Sequence, residues 1–412
     1  MQALWQDLIY ALRLMRKNPR ALDQFRGLIV TKRKAGRVAV RRKFLAIVAL
    51  VAVPLALMIP AASSTRTTQL ELDLPQPSGC YAIGTKTLLL ADARRNRELV
   101  ITMWYPAKEG KSESAPYMEK KTAEAVAEDW KLRADFARQV HTHSRLLAPI
   151  AEGGPFPVVL LEHGTGVVPA IYTVLAEALA STGFVVVATN HTPDSLISVF
   201  PDGHEVKFTP YWPADADRKT QGEAMGRFAE NVLVADVGFV LDKLKEMQLH
   251  DDFWRGHLDL SRVGIVGHSM GGTTAASATK VNPRILAGVN LDGSTYPGMN
   301  GDVRPVEVHK PFLFLMTEEH ASDPATRGRE YVGRESNTYY VVVPGTDHMS
   351  FTDAHLITSR FAREPAAGGS ADFGRALLAT AAINSLVGEF FCKYLKNGRA
   401  PQLDLAVTVE RK

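Results

Sequence analysis

Residues 263–272 read VGIVGHSMGG, so Ser269 stands between Gly267 and Gly271 at the end of an apolar run. A G-x-S-x-G pattern suits a sharp, strained strand-to-helix turn that lifts a hydroxyl clear of a sheet, with glycines keeping side chains out of the crowded corner. The helix that follows offers amides and the positive end of its dipole to negative charge developing there. Five-residue patterns recur by chance, so the setting must decide. A serine hydroxyl is a weak nucleophile at neutral pH and needs a base within hydrogen-bond reach, and the base needs an orienting carboxylate. Of the 12 histidines, His348 has the right surroundings: Val341 to Ser350 (VVVPGTDHMS) reads as a strand, a Pro-Gly turn and then a histidine on the loop. His268 adjoins Ser269, but the turn points it away from the hydroxyl. For the carboxylate, Asp292 ends the strand after the nucleophile helix, and Glu318, Glu319 or Asp323 would follow the next one; position alone favours neither. Two amides should hold the oxyanion. Met270, directly after the nucleophile, supplies one, and Thr165 in the strand-end loop His163-Gly164-Thr165-Gly166 supplies the other. The pair His141 and His143, without nearby carboxylate or cysteine ligands, is weak evidence for a metal. No metal or cofactor is expected.

These residues need a scaffold that brings strand ends together. Tyr81 to Leu90 and Glu98 to Tyr105 read as an opening antiparallel hairpin turning near Ala93–Asn96. Residues 117–148 favour helix. From Pro157 onward short apolar runs alternate with helical segments: a strand to Glu162, a helix over 170–181, a strand over 184–189, a helix over 225–247, then the Ser269 strand and helix. Strands over 285–291 and 311–316 and a last one over 338–343 follow, and helices near 355–363 and 370–396 close the chain. That rhythm implies an α/β fold with a mostly parallel sheet covered by helices on both faces. In such sheets function gathers at the carboxyl ends of the strands, where Ser269, His163-Gly164, Asp292 and His348 all fall. Residues 192–224, rich in Pro, Asp and Gly, are too long for an ordinary connection and suit an insertion that covers the cleft.

The chain has 412 residues, 46% hydrophobic and 22% charged, which is ordinary for a globular protein. Its net charge of +4 is unevenly placed. Residues 1–62 hold 12 basic and 2 acidic residues, leaving 36 basic and 42 acidic in the body, so nothing points to nucleic-acid binding there. The leader (1–62) combines a basic stretch, Thr31 to Lys43, with an uncharged h-region over 44–60 and small residues after it, the layout of a secretory signal. Cleavage is expected between Ala62 and Arg66. Arg41-Arg42 resembles a twin-arginine signal; uncleaved, the same segment would be a membrane anchor. Residues 1–20 also place Leu4, Leu8, Leu12 and Met15 on one helical face. A linker over 63–78, a catalytic domain over 79–397 and a tail over 398–412 complete the organisation. Cys80 and Cys392 read as two buried thiols, although export would permit a bridge.

The body resembles the platelet-activating-factor acetylhydrolase family, in its plasma-type and bacterial exported members. The likeness is carried by Tyr81-Ala82-Ile83-Gly84-Thr85, Trp104-Tyr105-Pro106, Pro157 to Gly164, the long match Leu258 to Gly272, Leu291-Asp292-Gly293 and Gly345-Thr346-Asp347-His348. It covers about residues 79–397, whereas 193–224 and 296–310 match poorly. The resemblance implies an α/β-hydrolase fold and a metal-independent serine carboxylesterase acting on short-acyl or oxidised-acyl esters, with small-molecule or lipid esters as its partners. It also implies Asp292 as the acid. Two further arguments agree: the turn Leu291-Asp292-Gly293 lets a carboxylate project, with Gly293 free to take a conformation other residues resist, and the adjacent Glu318 and Glu319 cannot both face one imidazole. A polyester or triglyceride hydrolase on the same fold, and a membrane-anchored non-catalytic binding protein, are the alternatives.

Overall fold

The computed structural model describes residues 71–294, 310–322, 337–364, 369–398 and 408–410. The leader, its cleavage site, Asp323 and most of 296–310 lie outside the described residues.

The frame is a 12-stranded sheet. The strands that matter here are β1 (Ala82–Asp92), β2 (Arg97–Ala107), β3 (Val140–Leu146), β4 (Phe156–Glu162), β5 (Val185–Asn190), β6 (Leu258–His268), β7 (Ile285–Leu291), β8 (Phe312–Met316) and β9 (Thr338–Val342). Their order across the sheet is β3-β1-β2-β5-β4-β6-β7-β8-β9. The expected hairpin is present: β1 and β2 pair antiparallel in unbroken register from Ala82↔Ala107 to Asp92↔Arg97. From β5 across to β9 every pairing is parallel. β4 and β8 are buried at every position, as parallel strands covered on both faces must be. Helices α1 (Lys120–Asp129), α2 (Thr173–Ser181), α3 (Arg218–Phe228), α4 (Val234–His250), α5 (Met270–Val281), α6 (Ala354–Phe361) and α7 (Gly369–Lys396) supply the cover. α7 is apolar enough over Phe373–Lys396 to cross a membrane by length and composition. Here it packs on the sheet: Val387, Phe390 and Phe391 are fully buried, and Gly264 of β6 must be glycine because a Cβ would fall 2.5 Å from the Phe391 ring.

Four expectations need correction. Residues 117–148 are not one helix: α1 ends at Asp129, and 140–146 form β3, because pairing with β1 and burial of Val140 and Ser144 outweigh local helix preference. The helix expected over 225–247 begins earlier, at Arg218, and runs through a single π-turn at Ala229–Leu233 before α4. β9 is not the last strand, since Thr408–Glu410 in the tail adds an antiparallel edge to it. The cysteines are free thiols but not buried ones: Cys80 is exposed and Cys392 is only partly buried. The insertion over 192–224 holds a small hairpin of Ile197–Val199 with Glu205–Lys207 and the first part of α3.

Candidate active site

β6 runs into Ser269, whose φ of 55° and ψ of −118° lie outside the regions a non-glycine residue normally occupies. A residue held there costs about 1–3 kcal/mol and persists only where its surroundings over-determine it. They do so here. A Cβ on Gly267 would meet the Gly271 carbonyl oxygen at 2.0 Å, and one on Gly271 would meet the Glu162 carbonyl oxygen at 2.1 Å. The Ser269 amide donates to Leu291 O at 3.0 Å, tying the turn to the end of β7. Both glycines of the motif are thus steric necessities.

Asp292 follows β7 and is fully buried. Its own φ is 53°. The unusual conformation therefore belongs to Asp292 and not, as the sequence suggested, to Gly293; glycine is needed at 293 because a Cβ would fall 2.4 Å from Ser269 O. Asn290 clasps this turn, accepting from the Gly293 amide at 2.6 Å and donating to its carbonyl at 3.1 Å. The carboxylate is saturated. Oδ1 accepts from the Thr317 amide at 2.7 Å and the Thr317 hydroxyl at 3.0 Å. Oδ2 accepts from His348 Nδ1 at 2.8 Å. Burial alone would raise the pKa of this acid, but the hydrogen bonds from His320, His348 and Thr317 outweigh it and hold Asp292 well below the usual carboxylate range. A carboxylate accepts only, so His348 carries a proton on Nδ1.

The sequence reading missed His320. Its Nδ1 lies 2.9 Å from the same Asp292 Oδ2, and the hydrogen bond to Asp292 raises its pKa. The Glu318-Glu319-His320 run is a short helix, Glu318–Ser322, rather than only a solvated loop, and the Thr317 hydroxyl that supports Asp292 also accepts from the His320 amide at 3.1 Å. Among the described residues, Asp292, His320 and His348 are a group whose potential ligand atoms all lie within 4.8 Å of one another. Of the rival acids, Glu318 accepts from the Gly345 amide at 3.2 Å and Glu319 is exposed.

The loop after β4 lies against Ser269: a Cβ on Gly164 would lie 3.1 Å from Ser269 Cβ. Thr165 stands on this loop, and Met270 opens α5 on the other side of the turn. A hydrogen-bonded chain fixes the loop relative to His348. The Gly164 amide donates to the Tyr172 hydroxyl at 3.1 Å, Tyr172 bonds His268 Nδ1 at 2.9 Å, and His268 Nε2 bonds the His348 carbonyl at 2.8 Å. Burial first, and then the neighbouring His348, push the pKa of His268 down to about 3, so it is a neutral spacer. Both of its ring nitrogens are thus engaged away from Ser269, by Tyr172 and His348 O.

Behind the loop lies a buried ionic network that the sequence reading also missed. His191, after β5, bonds Glu162 Oε2 at 2.5 Å through Nε2 and Asp236 Oδ2 at 3.0 Å through Nδ1. Arg97 grips Asp236 with two bonds, at 2.9 and 2.6 Å, and Arg95 adds a third at 2.7 Å. Burial opposes a charge on His191, but the two carboxylates prevail and raise its pKa to about 9. The His191 amide donates to His163 Nε2 at 3.1 Å, leaving His163 Nδ1 to donate to Gly164 O at 2.7 Å. Burial, then the charge of His191, lower His163 to about 3, which fixes it as neutral. The one signal in the sequence was Glu162, an acid closing an otherwise apolar strand.

The segment after β5 is tied to the loop that follows β4. Gly166 N donates to Asp194 O at 2.8 Å, and Tyr211 donates from its hydroxyl to Asp194 Oδ1 at 3.0 Å while stacking on Phe228 at 4.0 Å. Burial raises the Asp194 pKa to about 6. Met270 packs with Ala229 and Leu233 under Tyr211, Met225 and Phe228. An apolar, aromatic wall thus stands around Met270, next to Ser269 in the chain.

Comparison with known proteins fits this geometry. Residues 66–205 and 224–381 match the family model described as platelet-activating factor acetylhydrolase, isoform II. The chain belongs to this family. Of the stretch expected to match poorly, 193–224, only 206–223 is unmatched, and 296–310 lies inside the matched region, contrary to expectation. A platelet-activating factor acetylhydrolase of Cavia porcellus is 23% identical over 310 residues, covering 70% of each chain. A probable 1-alkyl-2-acetylglycerophosphocholine esterase of Arthroderma benhamiae is 24% identical over 362 residues, 77% of this chain and 82% of its own. A solved ferulic acid esterase from Streptomyces cinnamoneus superposes with a TM-score of 0.66 at 29% identity, covering 82% of this chain and 99% of the esterase. The fold is that of the α/β-hydrolases, and the protein is a carboxylic ester hydrolase.

Proposed function

We propose that this protein is an exported serine esterase acting on short-acyl or oxidised-acyl esters through Ser269, His348 and Asp292. The observation that carries the reading is the 2.8 Å bond between His348 Nδ1 and Asp292 Oδ2, at the strand end where Ser269 occupies its strained turn. Ser269 Oγ attacks the ester carbonyl carbon while its proton passes to His348 Nε2. Asp292 orients the imidazole and stabilises its cation. The Thr165 and Met270 amides hold the oxyanion. Collapse of the tetrahedral intermediate breaks the bond to the alcohol, which leaves with the proton from His348. Water, deprotonated by His348, then attacks the acyl-enzyme and releases the acid. The buried charges around His191 keep the His163-Gly164-Thr165 loop in place, and Asp194, Tyr211 and Phe228 bound the acyl side.

The aromatic wall and the 29%-identical ferulic acid esterase support a second substrate class, esters of aromatic acids. A panel of p-nitrophenyl esters of increasing chain length, a short-acyl phosphatidylcholine and methyl ferulate, compared by kcat/KM, separates these readings. Highest values for acetyl and butyryl esters and the short-acyl phospholipid are expected; a preference for the long-chain p-nitrophenyl esters or for methyl ferulate would replace the substrate assignment. Export is tested by N-terminal sequencing of the extracytoplasmic protein, which should begin between Ala62 and Arg66. A chain retained at the membrane with its leader intact would refute cleavage.

A further inference from the structure

Triad chemistry needs one imidazole on Asp292, yet the structure gives it two. His320 Nδ1 and His348 Nδ1 lie 2.9 and 2.8 Å from the same oxygen, Oδ2, while Oδ1 is fully engaged by Thr317. The three side chains come from three successive strand ends: Asp292 after β7, His320 after β8 and His348 after β9. Asp292 is buried, but the side chains of His320 and His348 remain 22% and 39% exposed, so a hydrated ion can reach them.

We propose that Asp292, His320 and His348 form a transition-metal site, of the class that takes Zn2+, whose occupation switches the hydrolase off. Two imidazole nitrogens and one carboxylate oxygen are a common ligand set for zinc, with water in the fourth position. Zinc bonds of about 2.0–2.2 Å in a tetrahedron put neighbouring ligand atoms about 3.4 Å apart. Both rings must therefore withdraw from Oδ2 by about half an ångström, a small movement for partly exposed side chains. Thr317 anchors the carboxylate and supplies the hydrogen-bonded support that a ligating carboxylate needs.

The consequence for catalysis follows from proton bookkeeping. A metal on Nδ1 of His348 takes the lone pair exposed when that nitrogen loses its proton. The neutral ring keeps its one proton, which now sits on Nε2, and an Nε2–H cannot accept the proton of Ser269. A second proton on His320, if present, is released to solvent. The inhibition rests on the role given to His348 above, whereas binding of the ion does not.

Zn2+ is the probe for inhibition and Co2+ the probe for geometry. The full chain, freed of metal, is titrated with Zn2+ while p-nitrophenyl acetate hydrolysis is followed. Half-inhibition in the micromolar range, reversed by a chelator, is expected. His320→Phe and His320→Ala, each normalised to its own metal-free rate, should raise the half-inhibitory concentration by at least about tenfold. Binding is read separately on Ser269→Ala, which needs no turnover: one Co2+ per chain, with the visible absorption of a tetrahedral site, displaced by Zn2+ and lost when His320→Phe is added. Absence of inhibition, unchanged sensitivity in both His320 variants, or no stoichiometric Co2+ in Ser269→Ala overturns the proposal. Hydrolysis surviving in Ser269→Ala would instead refute the nucleophile and the route of inhibition, and the Co2+ spectrum would still decide whether the site exists.

Discussion

Gly271→Ala places a single methyl group between the two halves of the proposed oxyanion hole. Its Cβ would lie 2.1 Å from Glu162 O, 2.5 Å from Glu162 C and 2.8 Å from His163 O, all backbone atoms. Contacts below 3.0 Å essentially do not occur, so α5 and the end of β4 must part by about 0.9 Å, the difference between 3.0 and 2.1 Å. Met270 rides on one side of that gap and Thr165 on the other. A displacement of about 1 Å at a reacting centre can cost about a hundredfold, and loss of one oxyanion donor costs about 10²–10³ in kcat. A fall of two to three orders of magnitude in kcat is therefore expected, with KM changed far less. The assay is p-nitrophenyl acetate hydrolysis, normalised to the number of sites that react with an organophosphate, alongside circular dichroism and a thermal melt to confirm folding. Gly256→Ala is the control: its φ is +80° and its Cβ meets nothing within 4 Å, so it should cost about 1 kcal/mol of stability and leave the rate alone. A folded Gly271→Ala enzyme with a rate within about threefold of wild type would refute the placement of the oxyanion donors.

Three other outcomes follow from the same geometry. Asp292→Asn should fold yet lose up to about ten-thousand-fold in rate, because an amide favours the wrong tautomer of His348; Glu319→Gln, measured on the same ester, should change the rate less than about tenfold. Tyr211→Ala removes both the stack on Phe228 and the bond to Asp194, and should alter the ratio of kcat/KM between acetyl and butyryl esters more than it alters stability; an unchanged ratio would take this segment off the acyl site. His191 holds its proton up to about pH 9 when folded, against an ordinary value of 6.5, so its contribution is complete below about pH 6.5 and is lost as pH rises toward 9. That displacement corresponds to about 3 kcal/mol, and denaturant unfolding at pH 6.5 and 9 should show a loss of this order that is reduced in His191→Asn.

How much of this was legible in the sequence depended on whether the signal was local. The Ser269 turn, the buried parallel strands and the His348 loop are each written in fewer than a dozen consecutive residues, and all three stand where the pattern put them. β3 was hidden because 140–146 looks helix-compatible in isolation, and only its pairing with β1 makes it a strand. The acid could not be assigned from position, since strand ends at 292 and 318 are equivalent in a linear reading; family likeness pointed to Asp292, which in the folded chain bonds His348 and Thr317. His320 and the His191 network were invisible for a different reason. Each is a meeting of residues from separate strands and helices, Arg97, Glu162, His191 and Asp236 in one case, and only Glu162 was out of place in its own segment. Gly293 shows the reverse error, in which the right residue was chosen for the wrong cause.

The most direct test of the account is covalent labelling of the nucleophile. Wild-type protein treated with a fluorophosphonate, digested and sequenced by mass spectrometry should carry one adduct per chain, on Ser269, with hydrolysis lost in proportion to labelling. Ser269→Ala should take up no label and show no ester hydrolysis while melting as a folded protein. An adduct on another residue, or a Ser269→Ala enzyme that still turns over p-nitrophenyl acetate, would contradict the claim that this strained serine is where the chemistry happens.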